Sequence, residues 1–290
     1  MMYLGSVIRA FSVLSIGVAL FLSGCADMPP VEAPSPGLES REHYSKGLKL
    51  MREGFPDTAM EAFHAAIDTD PAGDAAPAAM HRIAGLYRDR GDHHSAFSWL
   101  QRLEETFPGY ENADESLFLQ VETLVSLGEP ALARAAGISW AETYEGHLKY
   151  PEMSAIIADA SLETGDIGGG FKWWLRAYKS GRDDPDLQAR ATKKLTGTVE
   201  TLDAGELAAI AGAAAGTRFE PMIYQHMAEG YLSAGDMDRA EEAAIALVRS
   251  SPEDRWAVIG KDILDRIRVQ LSVKGNLVGC ILPQSGAFEL

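Results

Sequence analysis

The chain has 290 residues, of which 46% are hydrophobic, and its formal net charge is −16. This length fits one or two domains, and the apolar share is sufficient for a packed core. The strong negative charge argues against nucleic acid or anionic lipid as the main partner, because both would be repelled.

Residues 1–24 have the layout of a secretory signal peptide. A single positive side chain, Arg9, precedes an apolar run over residues 10–22. That run is shorter than the ~20 residues of a transmembrane helix. It ends in Leu-Ser-Gly-Cys, which resembles the lipobox of bacterial lipoproteins. The resemblance implies cleavage between Gly24 and Cys25 and a covalent lipid on Cys25, with no other cofactor. The alternative is an ordinary signal peptide with an incidental cysteine.

Residues 25–39 are predicted to form a proline-rich tether. An extended proline-rich segment rises ~3.1 Å per residue, so the tether would hold a folded body about 30–40 Å from a membrane. Ala26 follows the cysteine. In the lipoproteins that the motif resembles, Asp at this position favours retention in the inner membrane. We therefore expect a lipid anchor at the periplasmic face of the outer membrane. A lipid on Cys25 leaves Cys280 without a disulfide partner.

A glycine recurs at an interval of 37 residues through the first half of the chain. The four positions are Gly54, Gly91, Gly128 and Gly165, and Gly235 follows 70 residues later. A fixed period of 20–50 residues indicates a repeat architecture. Three of these glycines precede aspartate, at Asp92, Asp166 and Asp236. Glycine ends a helix and aspartate caps the next one, so the pattern predicts helix pairs joined by tight turns.

The second helix of the predicted pairs carries a common motif. It reads Ala59-x3-Phe63-x2-Ala66-x4-Pro71, with equivalents that begin at Ala96 and Ala240. This motif and period resemble the tetratricopeptide repeat. The resemblance implies an all-α fold, a helical-hairpin solenoid of about six pairs over residues 40–252. Gly137 and Gly170 depart from the motif, and residues 186–216 are expected to form a degenerate unit.

Residues 253–273 are predicted to form a helix that caps the solenoid. Ile259, Ile263 and Ile267 recur at four-residue spacing and lie on one stripe of such a helix, with charged side chains mostly elsewhere. A polar outer face on the terminal element is what a solenoid requires.

Residues 274–290 contain a short apolar run that favours a β-strand. The run, residues 277–282, is typical of a strand buried on both faces in a parallel sheet. The string Val-Gly-Cys-Ile-Leu-Pro-Gln-Ser-Gly at residues 278–286 resembles the first strand and loop of type I periplasmic binding proteins. The resemblance implies the start of an α/β periplasmic-binding domain, of which nearly all is truncated here.

The order of lipobox, tether, solenoid and strand resembles the penicillin-binding-protein activator lipoproteins (LppC/LpoA type). The resemblance implies an outer-membrane lipoprotein that supports peptidoglycan synthesis by protein–protein interaction, with a peptidoglycan synthase as the partner. Two alternatives stay open. One is an adaptor for outer-membrane protein assembly, and the other is the remnant of a periplasmic ligand-binding receptor.

No motif of catalysis or metal binding stands out. His93-His94 lacks the spacing of a zinc site, and the glycine-rich stretch of residues 165–170 lacks the lysine of a phosphate loop. No nucleophile signature is present either, so we expect neither an enzyme nor a metal site. Of Trp173 and Trp174, one is expected to face the core and the other is a candidate for ligand stacking.

The first helices of the pairs are expected to line a concave groove. Helical spacing selects eight candidate groove residues: Tyr44, His81, Arg88, Phe118, Glu122, Asp159, Gln225 and Glu229. A periplasmic or membrane protein would lie in this groove as an extended segment or a helix. The alternative is a surface that is merely solvated.

Overall fold

The computed structural model of the chain describes residues 35–251 and 254–275. Within these residues the chain forms thirteen α-helices and one short 3₁₀ turn, and no β-strand. The helices are α1 (Pro36–Arg52), α2 (Pro56–Thr69), α3 (Ala75–Asp89), α4 (His93–Thr106), α5 (Ala113–Ser126), α6 (Pro130–Thr143), α7 (Tyr150–Glu163), α8 (Ile167–Ser180), α9 (Pro185–Thr201), α10 (Ala204–Ala211), α11 (Glu220–Ala234), α12 (Met237–Ser250) and α13 (Arg255–Gly275). The 3₁₀ turn, Gly212–Ala214, directly follows α10.

Helices α1 to α12 form six successive pairs. Each of α1 to α8 packs against the next helix along the chain, and so do α10, α11 and α12, whereas α9 and α10 follow one another in the chain without packing closely. The odd-numbered helices also contact one another, for example α1 with α3 and α3 with α5. Packed neighbours joined by short connections form hairpins, and hairpins stacked in chain order form a solenoid. The fold is an all-α, tetratricopeptide-like helical-hairpin solenoid.

The turns inside the pairs follow the predicted glycine spacing. Gly54, Gly91, Gly128 and Gly165 all have φ between 73° and 82°, and Gly235 has φ of 80°. This left-handed region is strained for residues with a Cβ. The aspartates that follow three of these glycines cap the next helix; Asp92, for example, accepts a hydrogen bond from the Ser95 N–H at 3.0 Å. The sequence signal for tight helix–helix turns is therefore confirmed.

The fifth pair is the irregular one, as its weak sequence pattern indicated. Its helices α9 and α10 are joined at Leu202 and Asp203, without a glycine. Asp203 and Glu206 form a reciprocal capping box at the start of α10. The pair is held mainly by its neighbours, because α9 packs on α8 and α10 packs on α11.

Small residues let the helices of a pair approach closely. Ala59, Ala96 and Ala240, the first residues of the repeated motif, are fully buried. The two departures from the motif also have a packing reason. A Cβ on Gly137 would lie 2.7 Å from a side-chain carbon of Ile157, and one on Gly170 would lie 2.7 Å from Leu162. Glycine is thus required where a neighbouring helix brings a larger side chain.

Two predicted boundaries differ from the observed ones. Helix α1 begins at Pro36, so residues 36–39, predicted as part of the tether, are helical. Proline is well suited to the first turn of a helix, and the buried Ser40 hydroxyl, which donates to the Ala66 carbonyl at 2.7 Å, fixes this turn to α2. At the other end α13 continues to Gly275, two residues beyond the predicted end at residue 273.

Helix α13 packs on α12, which closes the last pair. Ile263 and Ile267 of the predicted stripe are buried there, and Ile259 is partly buried. The predictions for the signal peptide, the lipidated Cys25, most of the tether and the strand at residues 277–282 lie outside the described residues. Among the described helices, none is long and apolar enough to cross a membrane.

Candidate functional site: a cleft on the odd-helix face

A cleft of about 200 Å³ lies where α1, α3 and α5 meet the start of α7. We call it the odd-helix cleft, because its walls come from odd-numbered helices. Its lining combines an apolar floor with charged side chains: Met51, His81, Arg82, Gly85, Arg88, Asp89, Glu115, Phe118, Leu119, Glu122 and Lys149. Four of the eight residues predicted to line a groove are therefore brought together here, namely His81, Arg88, Phe118 and Glu122.

Arg88 and Glu122 form an ion pair across the cleft between α3 and α5. Nη1 of Arg88 lies 3.0 Å from Oε2 of Glu122, and Nη2 lies 3.1 Å from Oδ1 of Asp89. Burial raises the pKa of the Glu122 carboxyl above its ordinary value, although the neighbouring guanidinium acts in the opposite direction. The desolvation of Glu122 thus outweighs its pairing with Arg88.

His81 connects α3 to α5 below the rim. Its Nδ1 lies 2.8 Å from the hydroxyl of Ser116, which in turn donates to the Asn112 carbonyl at 3.2 Å. Burial lowers the pKa of the His81 imidazole, and the Arg82 guanidinium lowers it further, whereas Glu115 acts in the opposite direction. The imidazole is therefore held neutral and serves as a hydrogen-bonding link between the two helices.

Lys149 is held at the rim by a connected set of aromatic and polar contacts. Its ammonium lies 4.4 Å from the centre of the Phe118 ring. Its backbone N–H donates to Nδ1 of His147 at 3.0 Å, and Nε2 of that ring lies 3.0 Å from the Asp114 carboxylate. The Trp140 indole N–H donates to the Asp114 carbonyl at 2.7 Å. Phe118 thus contacts the ammonium from below, and His147 holds the backbone of Lys149 in the loop.

Phe118 is a core residue as well as a cleft residue. It is 2% exposed and packs edge-on against Trp140 with a centroid distance of 5.6 Å. Sequence spacing predicted it as a groove side chain that would meet a partner directly. Its ring instead packs against Trp140 of α6 and forms part of the cleft floor. The Lys149 ammonium covers the ring from the rim.

The other four predicted groove residues lie outside the cleft. Tyr44 packs against Phe63 of α2, with ring centroids 5.6 Å apart. Gln225 donates to Glu229 at 3.1 Å, and Glu229 lines a separate open depression of about 630 Å³ near Arg239. Asp159 accepts hydrogen bonds from the Trp174 indole N–H at 3.2 Å and from the Lys194 ammonium at 2.7 Å. The structure thus brings four of the eight predicted groove residues into one cleft and leaves the other four at separate positions.

Sequence reasoning missed several residues of the cleft. Arg82, Gly85, Glu115 and Lys149 all line it, and Lys149 lies in the connection before α7 rather than on a first helix. Gly85 lies four residues after His81, and Glu115 lies three residues before Phe118, so helical spacing could have selected both. A second signal marked Gly85, since a glycine in the middle of a predicted helix calls for a reason.

The other candidates for chemistry do not assemble into a site. No group of three or more His, Cys, Asp or Glu side chains within residues 35–251 and 254–275 could hold a metal ion. His93 is the first residue of α4, and residues 165–170 form the turn and first helical residues before Phe171. Trp174 is fully buried, whereas Trp173 is half-buried with the Arg176 guanidinium 4.1 Å from its ring centre.

No protein-family model matches the chain, and no curated protein sequence matches it. Several solved structures resemble it. A tetratricopeptide repeat protein from Parabacteroides merdae is 15% identical, with 80% of this chain and 85% of that chain covered and a TM-score of 0.46. PilF of Pseudomonas aeruginosa is 12% identical, with 80% and 100% covered and a TM-score of 0.45.

MamA from Desulfovibrio magneticus RS-1 is also similar. It is 10% identical, with 75% of this chain and 97% of that chain covered and a TM-score of 0.44. All three TM-scores are below 0.5.

Proposed function

We propose that the chain is a protein-binding adaptor that holds an extended segment of its partner in the odd-helix cleft. The observation that carries this proposal is the make-up of the cleft, in which charged side chains surround an apolar floor. Its volume of about 200 Å³ is below the ~300–1,000 Å³ of typical small-molecule pockets. A cleft of this size suits a side chain of a bound protein better than a whole cofactor or substrate.

The surroundings of the cleft favour an extended segment. Lys149 lines the cleft and also a second depression of about 530 Å³, which continues past α7 to Arg190. A chain that leaves the cleft beside Lys149 therefore finds a second open surface. An extended peptide that makes contacts at intervals is a recurring mode of recognition.

The adaptor is proposed to be a lipoprotein of the outer membrane, anchored through Cys25 on its periplasmic face. The support is the Leu-Ser-Gly-Cys motif at residues 22–25, with Ala26 after the cysteine. Replacement of Cys25 by alanine is expected to release the protein from sedimented membranes. Continued sedimentation of Cys25→Ala with the membrane fraction would contradict a lipid anchor.

The partner is proposed to be a peptidoglycan synthase, in the manner of a penicillin-binding-protein activator. The support is the resemblance of the domain order and of the string at residues 278–286 to that family. Depletion of the protein in its host is expected to change the incorporation of labelled wall precursor while the levels of outer-membrane barrel proteins stay normal. Loss of barrel proteins with unchanged incorporation would instead indicate an assembly adaptor.

The cleft itself is tested by photo-crosslinking in the host. A photoreactive amino acid at Glu115, an exposed residue of the cleft, is expected to capture a peptidoglycan synthase. The same amino acid at Glu241, an exposed residue of α12, is the control. The double variant Arg82→Ala, Lys149→Ala should remove the crosslinked product.

A charge-matched double variant, Lys172→Ala, Arg266→Ala, alters two exposed cations outside the cleft and should leave the crosslink unchanged. Equal loss in both double variants would show that overall charge rather than the cleft governs the interaction.

A further inference from the structure

Gly85 lies in the middle of α3, where a glycine makes a helix less stable than an alanine does. Several other helical glycines of this chain have a packing reason. A Cβ on Gly47 would lie 2.5 Å from the Phe63 ring, and Gly137 and Gly170 are similarly close to larger side chains. A Cβ on Gly85 would meet no heavy atom within 4 Å. Close packing of the helices therefore does not explain this glycine.

The open space beside Gly85 belongs to the odd-helix cleft. Gly85 lines the cleft together with three apolar side chains, those of Met51, Phe118 and Leu119. The whole cleft has a volume of about 200 Å³, roughly six or seven times the ~30 Å³ share of a water molecule in the liquid. Any side chain at position 85 would occupy part of this volume.

The rim of the cleft presents two cations that form no ion pair with another described residue. Arg88 is already within 3.1 Å of Glu122 and Asp89, whereas Arg82 and Lys149 have no such partner among residues 35–251 and 254–275. The lining as a whole is balanced, because the carboxylates of Asp89, Glu115 and Glu122 match its three cations, but Arg88 is shared between two of these carboxylates. Arg82 and Lys149 therefore face only the carboxylate of Glu115, and this part of the rim has an excess of positive charge in a chain whose net charge is −16.

We propose that Gly85 is the seat for one bulky apolar side chain of the bound segment, and that a carboxylate close to that side chain pairs with Arg82 and Lys149. The partner is thus an extended protein segment in which an aromatic, leucine or methionine side chain has an acidic residue within two positions. This inference rests on the proposed function, since it specifies what the odd-helix cleft takes.

Gly197 is a matched control for Gly85. It also lies inside a helix, α9, and a Cβ there would meet nothing within 4 Å, but it does not line the cleft. Alanine at either position removes the disadvantage of a helical glycine. Gly85→Ala and Gly197→Ala should therefore both raise the midpoint of thermal unfolding by about 2–4 °C.

Selection from a displayed library of random ten-residue peptides tests the proposal on the full chain. The unaltered protein is expected to enrich peptides that carry a large apolar residue within two positions of Asp or Glu. Gly85→Leu, which fills the cleft, should weaken binding of the selected peptides by about tenfold or more, and Gly85→Ala should have a smaller effect. Gly197→Ala should bind them as the unaltered protein does.

The possible failures separate the two proposals. If Gly85→Leu keeps full affinity while Arg82→Ala, Lys149→Ala loses it, the seat at Gly85 is wrong and the cleft remains the binding site. If Gly85→Ala and Gly197→Ala weaken binding equally, helix stiffness rather than space is responsible and the seat is again wrong. If no selected peptide depends on any cleft residue, the proposed function and the seat are both overturned.

Discussion

The region around α3 and α5 and the region around α7 to α9 use the same repeat positions in opposite ways. Gly85, Glu122 and Asp159 are equivalent positions, each 37 residues after the one before. At Gly85 the position is empty and the surface is open. At Asp159 the carboxylate accepts hydrogen bonds from the Trp174 indole and the Lys194 ammonium, and we call this region closed and that of Gly85 open. Equivalence in the repeat therefore does not imply equivalence in function.

The second helices explain the difference. The motif position held by Phe63 in the first pair is Leu100 in the second, Gly137 in the third and Trp174 in the fourth. Only the tryptophan carries a polar donor that reaches across to a first helix. Since Trp174 is fully buried, its N–H needs an acceptor, and Asp159 supplies it. A residue predicted to meet a partner thus becomes a structural residue.

The largest predicted effect is a loss of stability in the closed region. Trp174→Ala should lower the free energy of unfolding by about 3–5 kcal/mol, because a fully buried indole is lost from the core cluster that joins α7 to α11. Chemical denaturation measures this loss. Trp173→Ala is the control at the neighbouring, half-buried residue and should cost less. If Trp174→Ala does not fold, Trp174→Phe, which keeps most of the apolar volume, provides the comparison.

The next effect separates structural from binding carboxylates. Asp159→Ala leaves the buried Trp174 N–H without its acceptor and should cost about 1–3 kcal/mol of stability. Asp159→Asn keeps an acceptor oxygen and should cost less. Glu122→Ala, at the equivalent position of the open region, is expected to cost less than Asp159→Ala. Equal costs for Asp159→Ala and Glu122→Ala would remove the distinction between the regions.

The pH dependence of stability is expected to report the protonation of His81, which links α3 to α5 in the open region. Burial and Arg82 hold the pKa of His81 below its ordinary value of about 6.5. Just below pH 6.5 the unfolded chain therefore binds a proton that the folded chain does not. The stability that depends on neutral His81 is full above pH 6.5 and is lost as the pH falls toward the lowered pKa.

Urea denaturation between pH 5 and pH 7 measures this slope. His81→Gln retains a side chain able to hydrogen-bond to Ser116 but cannot titrate, so the rise in stability with pH should become shallower. An unchanged slope in His81→Gln would show that His81 is not the group responsible.

The smallest effect on stability is expected at the ion pair of the open region. Arg88 and Glu122 are both about one-third exposed, and pairs of this kind contribute ~0.2–1 kcal/mol. Arg88→Ala should therefore change stability little, but it should raise the pKa of Glu122 further, since burial already raises it and the opposing guanidinium is removed. NMR titration of the Glu122 carboxyl detects this shift. A fall in that pKa would contradict the assignment of Arg88 as a group that lowers the pKa of Glu122.

The candidate site was less predictable from the sequence than the fold. The period of 37 residues and the Gly-Asp turns identify the helix pairs, because a left-handed turn and a helix cap are local requirements of the backbone. The cleft depends on which side chains cross from one pair to the next. His81, Arg88, Phe118 and Glu122 could be placed on the right helices, but Lys149 enters from a connection whose path is set by His147 and Asp114.

The sequence by itself determined the helices, their turns and the small residues that allow them to pair, since each of these follows from residues close together in the chain. Only the tertiary structure decided which surface positions stay open. The space beside Gly85 stays open because no neighbouring side chain extends into it. The Asp159 carboxylate is hydrogen-bonded within the protein because Trp174 and Lys194 both reach it. Those outcomes depend on the size and polarity of side chains 15 to 35 residues away, which a repeat period does not encode.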